Sequence, residues 1–255
     1  MFDFIPIFLY THIYYHVLFV IMLSICVHLL FTDIQDLKSV NLTNIFGHLV
    51  LVWVTLYMGL RPEAPQFGDS YFYAHSFRME QLDLVHYQSS DWVFSRFLKF
   101  AAKSMTLNQF FLLIDIIYIV PCYIFSKKYF KNYWFYAFFM FIGSFSFFSY
   151  GTNGLRNGMA TALFVLAMCF YRRKILVAAI LFIAVGTHKS VLIPIAGLVI
   201  SYFYRNTRYI FIAWLCLIPL SLLSGGLWES LFGGLIDVSR SEYLSQNTVV
   251  NHTGR

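Results

Sequence analysis

The chain has 255 residues, 59% hydrophobic, 20% aromatic and only 12% charged, with a formal net charge of +6 and a mean hydropathy of +0.67. A soluble domain carries about twice that share of charge, so the composition excludes an ordinary soluble fold and specifies a chain whose solvent is lipid. In lipid only helices and closed barrels satisfy every backbone group. The apolar runs here are continuous and longer than the roughly ten-residue alternating segments of a barrel.

The expected fold is therefore all-α: a polytopic integral-membrane helical bundle, with residues 1–255 as one membrane domain. The first residues, "MFDFIPIFLY", have no basic leader region and no small-residue cleavage site, so the first hydrophobic segment is expected to stay in the mature protein. Apolar segments follow near 10–31, 42–60, 105–125, 133–150, 155–171, 175–187, 190–204 and 209–224, about eight in all. A bilayer core takes about 20 residues at about 1.5 Å each. As one helix through Pro194, residues 175–204 would measure about 45 Å, too long for one crossing. As two, they form a short, outward-facing, re-entrant-like hairpin.

Basic residues support the hairpin. Lys127, Lys128 and Lys131, then Arg172, Arg173 and Lys174, then Arg205 and Arg208 fall in alternate connections and are assigned to the cytoplasm. The intervening connections carry one basic residue each, Arg156 and Lys189. The N-terminus, residues 61–104 and the polar tail 236–255 are then outside, and "TDIQDLK", with Lys38 alone, is cytoplasmic. The basic charge is thus a topology signal, and no soluble basic domain exists to hold nucleic acid.

Residues 61–104 form an external loop. Its first part, "RPEAPQFGDSYFY", reads as a shaped loop because of Gly68 and two prolines. Its second part, "SSDWVFSRFLKFAAKS", reads as an interfacial amphipathic helix capped by Ser90 or Asp91. Val93, Phe97, Phe100 and Ala101 share its apolar face, and Arg96, Lys99 and Lys103 lie on another. Those cations either touch lipid headgroups or help bind an anionic lipid substrate.

The four cysteines, Cys26, Cys122, Cys169 and Cys216, sit singly inside apolar runs and read as helix residues, forming neither a disulfide framework nor a zinc site. No metal-ligand spacing appears, so neither metal nor cofactor is expected.

Five charged residues map to the outer side under this topology. Arg156 opens a helix after Gly151 and Gly154, where unpaired N–H groups are already partly positive. A cation there is disfavoured unless an anion sits between them, and Arg grips phosphate bidentately. The alternative is snorkelling to a headgroup. His188 in "GTHKS" is either a general acid or base or a hydrogen-bonded structural residue. Lys189 beside it either pairs with phosphate or marks the interface. The 61–73 segment adds Arg61, Asp69, Tyr71 and Tyr73. Asp69 either orients a sugar hydroxyl or acts as base, or sits in an ordinary exposed turn.

Three stretches in order, "FGDSYFY", "GLRNGMATALFVLAMCF" followed by "YRRK", and "GTHKSVLIP", resemble the EpsG branch of the Wzy-type polysaccharide polymerases over about residues 55–205. The resemblance implies a multi-pass enzyme of the bacterial inner membrane that makes O-antigen, capsule or exopolysaccharide. Such enzymes join oligosaccharide repeat units carried on undecaprenyl diphosphate at the outer face. By matching motifs it implies Arg61, Asp69, Arg156 and His188 as functional positions. His188 and Asp69 are the candidate catalytic pair, and Arg156, Arg61, Lys189 and Tyr73 the substrate-binding set. The implied partners are the lipid-linked oligosaccharide, membrane lipids and other polysaccharide-assembly proteins. Family members are usually longer, so the chain is expected to be cut short at the C-terminus. A flippase or exporter of the same glycan is the alternative, although it would place polar residues on both sides of the midplane. "GTNG" before a helix superficially suggests a rhomboid protease, but Asn153 stands where a nucleophilic Ser is wanted.

Overall fold

The computed structural model describes residues 4–33, 36–84, 87, 89–204 and 206–223. The expected positions of Arg205 and of the tail 236–255 lie outside the described residues. Among those described, all regular structure is helical: α1 (Ile7–Phe31), α2 (Leu37–Gly59), α3 (Asp69–Gln81), α4 (Trp92–Ser104), α5 (Leu107–Phe130), α6 (Trp134–Ile142), α7 (Phe147–Thr152), α8 (Leu155–Cys169), α9 (Lys174–Thr187), α10 (Leu192–Phe203) and α11 (Thr207–Leu223). Among the described residues, three stretches are long and apolar enough to cross a membrane: Ile7–Phe31, Leu37–Gly59 and Leu107–Ile142, the last holding both α5 and α6. Shorter apolar helices follow. The chain is a multi-pass helical membrane bundle.

Two compact units are present, Met1–Ala196 and Gly197–Arg255. In the second, the described residues form the end of α10 and α11, and none of those whose side chains are described is buried. The first holds the core and every candidate site residue.

Local sequence starts the long helices. Asp36 accepts the Ser39 N–H at 3.3 Å to cap α2. Thr106 and Gln109 form a reciprocal capping box at α5. The core is aromatic. Tyr10 and Tyr57 stack with centroids 4.4 Å apart, and each hydroxyl donates to the other's carbonyl, at 2.5 and 2.8 Å. Phe135, Phe138, Phe147 and Trp134 complete the wall between α2, α5 and α6.

The segment expected as one helix over 133–150 is instead broken between Ile142 and Phe147. A break frees carbonyls that lipid cannot satisfy. Tyrosines from elsewhere in the chain supply the donors: Tyr14 to Ile142 O at 2.8 Å, Tyr15 to Phe145 O at 3.2 Å and Tyr118 to Phe147 O at 3.1 Å. Residues 175–204, expected as a hairpin, form two short helices, α9 and α10, joined by a short 3-10 turn at Lys189–Val191.

Two local expectations change. The shaped loop ends at Gly68, and Asp69–Gln81 is helical. A 3-10 turn at Pro65–Phe67 leads into Gly68, which adopts φ 48°, ψ −111°. On α4 the buried face is Phe94, Ser95, Leu98, Ala101 and Ala102, while Phe100 is 68% exposed. The face shifts because α4 packs inward on α5 and α9. Gly186 of α9 lies so close to Trp92 and Val93 that any Cβ there would overlap both side chains, and Trp92 meets the Phe182 ring at 5.5 Å.

Candidate active site

The N-termini of α3, α4 and α8 and the α9–α10 turn are drawn together by side-chain contacts. Arg156, in the first turn of α8, donates to the Asp91 carboxylate at 2.6 Å and to the Ser89 hydroxyl at 3.0 Å. Its side chain keeps 23% exposure while that of Asp91 keeps 4%. The guanidinium carbon lies 5.7 Å from the Tyr73 ring centroid, so the cation also rests on an aromatic face. Tyr73 in turn packs edge-on against Phe94 at 5.1 Å and Tyr87 at 6.2 Å. Burial raises the phenol of Tyr73 well above its ordinary range, and that of Tyr87 in the same direction, so both stay neutral. Tyr73 is 2% exposed and forms a wall of the site.

The next residue on α8 carries the second half. Asn157 accepts a hydrogen bond from the Ser190 hydroxyl at 2.6 Å. Ser190 lies 2.9 Å from His188 Nδ1, and its backbone N–H donates to that nitrogen at 3.1 Å. A ring nitrogen that accepts from a backbone N–H carries a lone pair, so in a neutral ring the proton is on Nε2. His188 is half-buried, between α9 and the turn, while Lys189 is exposed. Adjacent residues of one helical turn, Arg156 and Asn157, therefore hold the Asp91 segment on one side and the His188 turn on the other.

Asp69 is exposed in the first turn of α3, one turn before Tyr73. Its backbone N–H donates to the Asn153 side chain at 2.8 Å. Asn153, where a protease would carry its nucleophile, thus helps join α3 to the α7–α8 turn. A Cβ on Gly68 would overlap Asn153 Oδ1, and the positive φ at Gly68 also disfavours other residues.

Arg61 is placed differently from the other cations. It is 3% exposed. It donates to Asp115 of α5 at 2.7 Å, to the Met58 carbonyl at 2.7 Å and to Ser70 at 2.8 Å, and its guanidinium carbon lies 4.6 Å from the Phe111 ring centroid. The Ser70 hydroxyl donates onward to the Thr152 carbonyl. Burial lowers the Arg61 pKa and the neighbouring Asp115 opposes that shift. Arg61 reaches the site only through α3 and the end of α7.

Asp91, Ser89, Tyr87, Asn157, Ser190 and Asp115 were not singled out as site residues in the sequence. Asp91 reads locally as a helix cap, yet its side chain makes no cap bond. Asp115 did carry a signal, as the one acid of a 24-residue helix and the one charge in its apolar middle. Among the described residues there is no group of three or more His, Cys, Asp or Glu that could hold a metal ion.

Chemically, the site offers a cation already oriented by a carboxylate, an imidazole N–H, an exposed carboxylate and aromatic walls. No curated protein and no solved structure matches the chain. The model of the EpsG family does match, over residues 44–254, which span α3, α4, α8 and the His188 turn. With most of the sequence matched, including every candidate site residue, the chain belongs to the EpsG family.

Proposed function

We propose that this membrane protein is a polysaccharide polymerase of the bacterial inner membrane, joining lipid-diphosphate-linked oligosaccharide repeat units at the outer face. The observation that carries the reading is Arg156, held by Asp91 and Ser89 in the same helical turn through which Asn157 holds the His188 turn. A partly exposed guanidinium fixed in place suits a diphosphate, whose departure needs preorganised positive charge.

In the reaction, a hydroxyl at the non-reducing end of the acceptor repeat attacks the anomeric carbon of the donor. A new C–O bond forms as the bond from that carbon to the diphosphate oxygen breaks. Arg156 neutralises the leaving diphosphate, and His188 donates from Nε2 to one of its oxygens. Asp69, exposed one turn from Tyr73, takes the proton of the attacking hydroxyl. Tyr73 and Tyr87 shape an apolar wall that excludes water from the cation. Lys189, exposed beside His188, adds positive potential at the entrance. Arg61 holds α3, and with it Asp69, through Ser70.

A polymerase acts after the repeat unit has crossed the membrane. Deleting the gene is expected to leave single repeat units on the lipid carrier, accessible to lectin or glycosidase from outside. Polymer of normal length in the deletion strain overturns the reading. Single units confined to the inner face would assign the protein to transport.

A further inference from the structure

The ends of α5 and α8 remote from Arg156 border a cavity of about 480 Å³. Lys128 comes from the last turn of α5, and Arg172 and Arg173 from the connection between α8 and α9. Tyr129, Phe170 and Tyr171 line it between them. Two of the aromatic residues are fixed in place: Lys128 Nζ lies 5.6 Å from the Phe170 ring centroid, and the Tyr129 hydroxyl donates to the Met168 carbonyl at 2.8 Å. Among the described residues no carboxylate pairs with any of the three cations. Like charges around a hollow repel one another, and an anion in the hollow reverses that cost.

The size and setting narrow the anion. Helix α8 has 15 residues, so it is about 22 Å long, and a charge held here is separate from anything bound at Arg156. Two of the lining aromatics, Tyr129 and Tyr171, are each about half exposed and form an apolar rim. Exposed aromatics at the ends of membrane helices mark headgroup depth. A phosphate diester carried on acyl chains puts its charge in the hollow while its tails cover that rim. Basic pockets between membrane helices take anionic lipid headgroups in this way.

We propose that this cavity binds the phosphate of an anionic phospholipid, with Lys128, Arg172 and Arg173 as its ligands, independently of the polymerase site. Bound lipid would tie the end of α5 to the α8–α9 connection and stabilise the folded chain by mass action.

The test is native mass spectrometry of the delipidated full chain, titrated separately with phosphatidylglycerol, phosphatidylcholine and inorganic phosphate. Phosphatidylglycerol is expected to bind in clear preference to phosphatidylcholine. That preference should weaken about fivefold for each cation removed and about a hundredfold in Lys128→Gln/Arg172→Gln/Arg173→Gln. Lys38→Gln, at the start of α2 and outside the cavity, should leave it unchanged. Because the triple variant removes topology signals, the wild-type chain is also crosslinked to phosphatidylglycerol bearing a photoreactive headgroup. Adducts are expected on peptides holding Tyr129 or residues 170–173. Equal binding of the two lipids, retained preference in the triple variant, or adducts elsewhere would overturn the proposal. Binding of inorganic phosphate as tight as that of phosphatidylglycerol would overturn the lipid assignment in favour of a soluble phosphate.

Discussion

Breaking the Arg61–Asp115 pair one side at a time should be far more damaging than replacing both partners. The pair is 2.7 Å apart and its side chains are 1% and 0% exposed. Asp115→Ala leaves a guanidinium buried without its counter-charge, and Arg61→Met leaves the carboxylate in the same position. Loss of one partner of a buried pair costs about 3–5 kcal/mol. In Arg61→Met/Asp115→Leu neither charge remains. The hydrogen bonds to Met58 O and Ser70 are still lost, each worth about 1 kcal/mol. The double variant should therefore cost only about 2 kcal/mol, less than either single, which puts the coupling energy at about 4 kcal/mol or more. Cys122 and Cys169 are buried while Cys26 and Cys216 are exposed. With the exposed pair replaced by serine, a thiol-reactive dye reads global unfolding in detergent. Each single variant should lower Tm by about 10–15 °C, at about 3 °C per kcal/mol for a chain of this size. Single variants within about 2 °C of the parent, or a double variant as unstable as the sum of the two, would refute the reasoning.

Gly68→Ala combines a strained φ with overlap on Asn153, and should cost about 1–3 kcal/mol. Its polymer yield should fall further than that of Gln66→Ala, measured at equal membrane levels. Arg156→Lys keeps the charge but loses the planar fork, so polymer should fall at least tenfold with normal protein level; full activity in Arg156→Ala would leave that residue only its structural contacts to Asp91 and Ser89. Asp91→Asn weakens the clamp on Arg156 and is expected to reduce activity less than Arg156→Ala does, as read from polymer yield against membrane-normalised protein. Single cysteines at 66 and 189 should react with an impermeant reagent in intact spheroplasts, and one at 128 should not; the reverse pattern would invert the topology.

What the sequence made legible depended on how local the controlling physics was. The division of 175–204 into two short helices could be read because length and alternating Lys/Arg connections act within a few tens of residues. The break after Ile142 could not, because the donors that make it tolerable are Tyr14, Tyr15 and Tyr118, two of them about 130 residues away in sequence. The helical start at Asp69 was hidden by the prolines and Gly68 before it: Pro65 opens a 3-10 turn, and Gly68 ends it and releases the chain into α3. Asp91 looked like a cap from its offset, but its carboxylate turned instead to Arg156, 65 residues on. Arg61 looked like an outward cation because its loop position was visible while its partner Asp115, 54 residues away, was not. Arg156 and His188 were recognisable as candidates. That Asn157 and Ser190 connect them was visible only in three dimensions.

The central claim is bond formation at the expense of a lipid diphosphate, and it is tested most directly with purified protein in liposomes supplied with a lipid-diphosphate-linked repeat unit. The account predicts longer glycans and one free polyprenyl diphosphate for each linkage made, with both products lost together in Arg156→Ala and His188→Ala. Glycan lengthening without release of polyprenyl diphosphate, or release without lengthening, would contradict it.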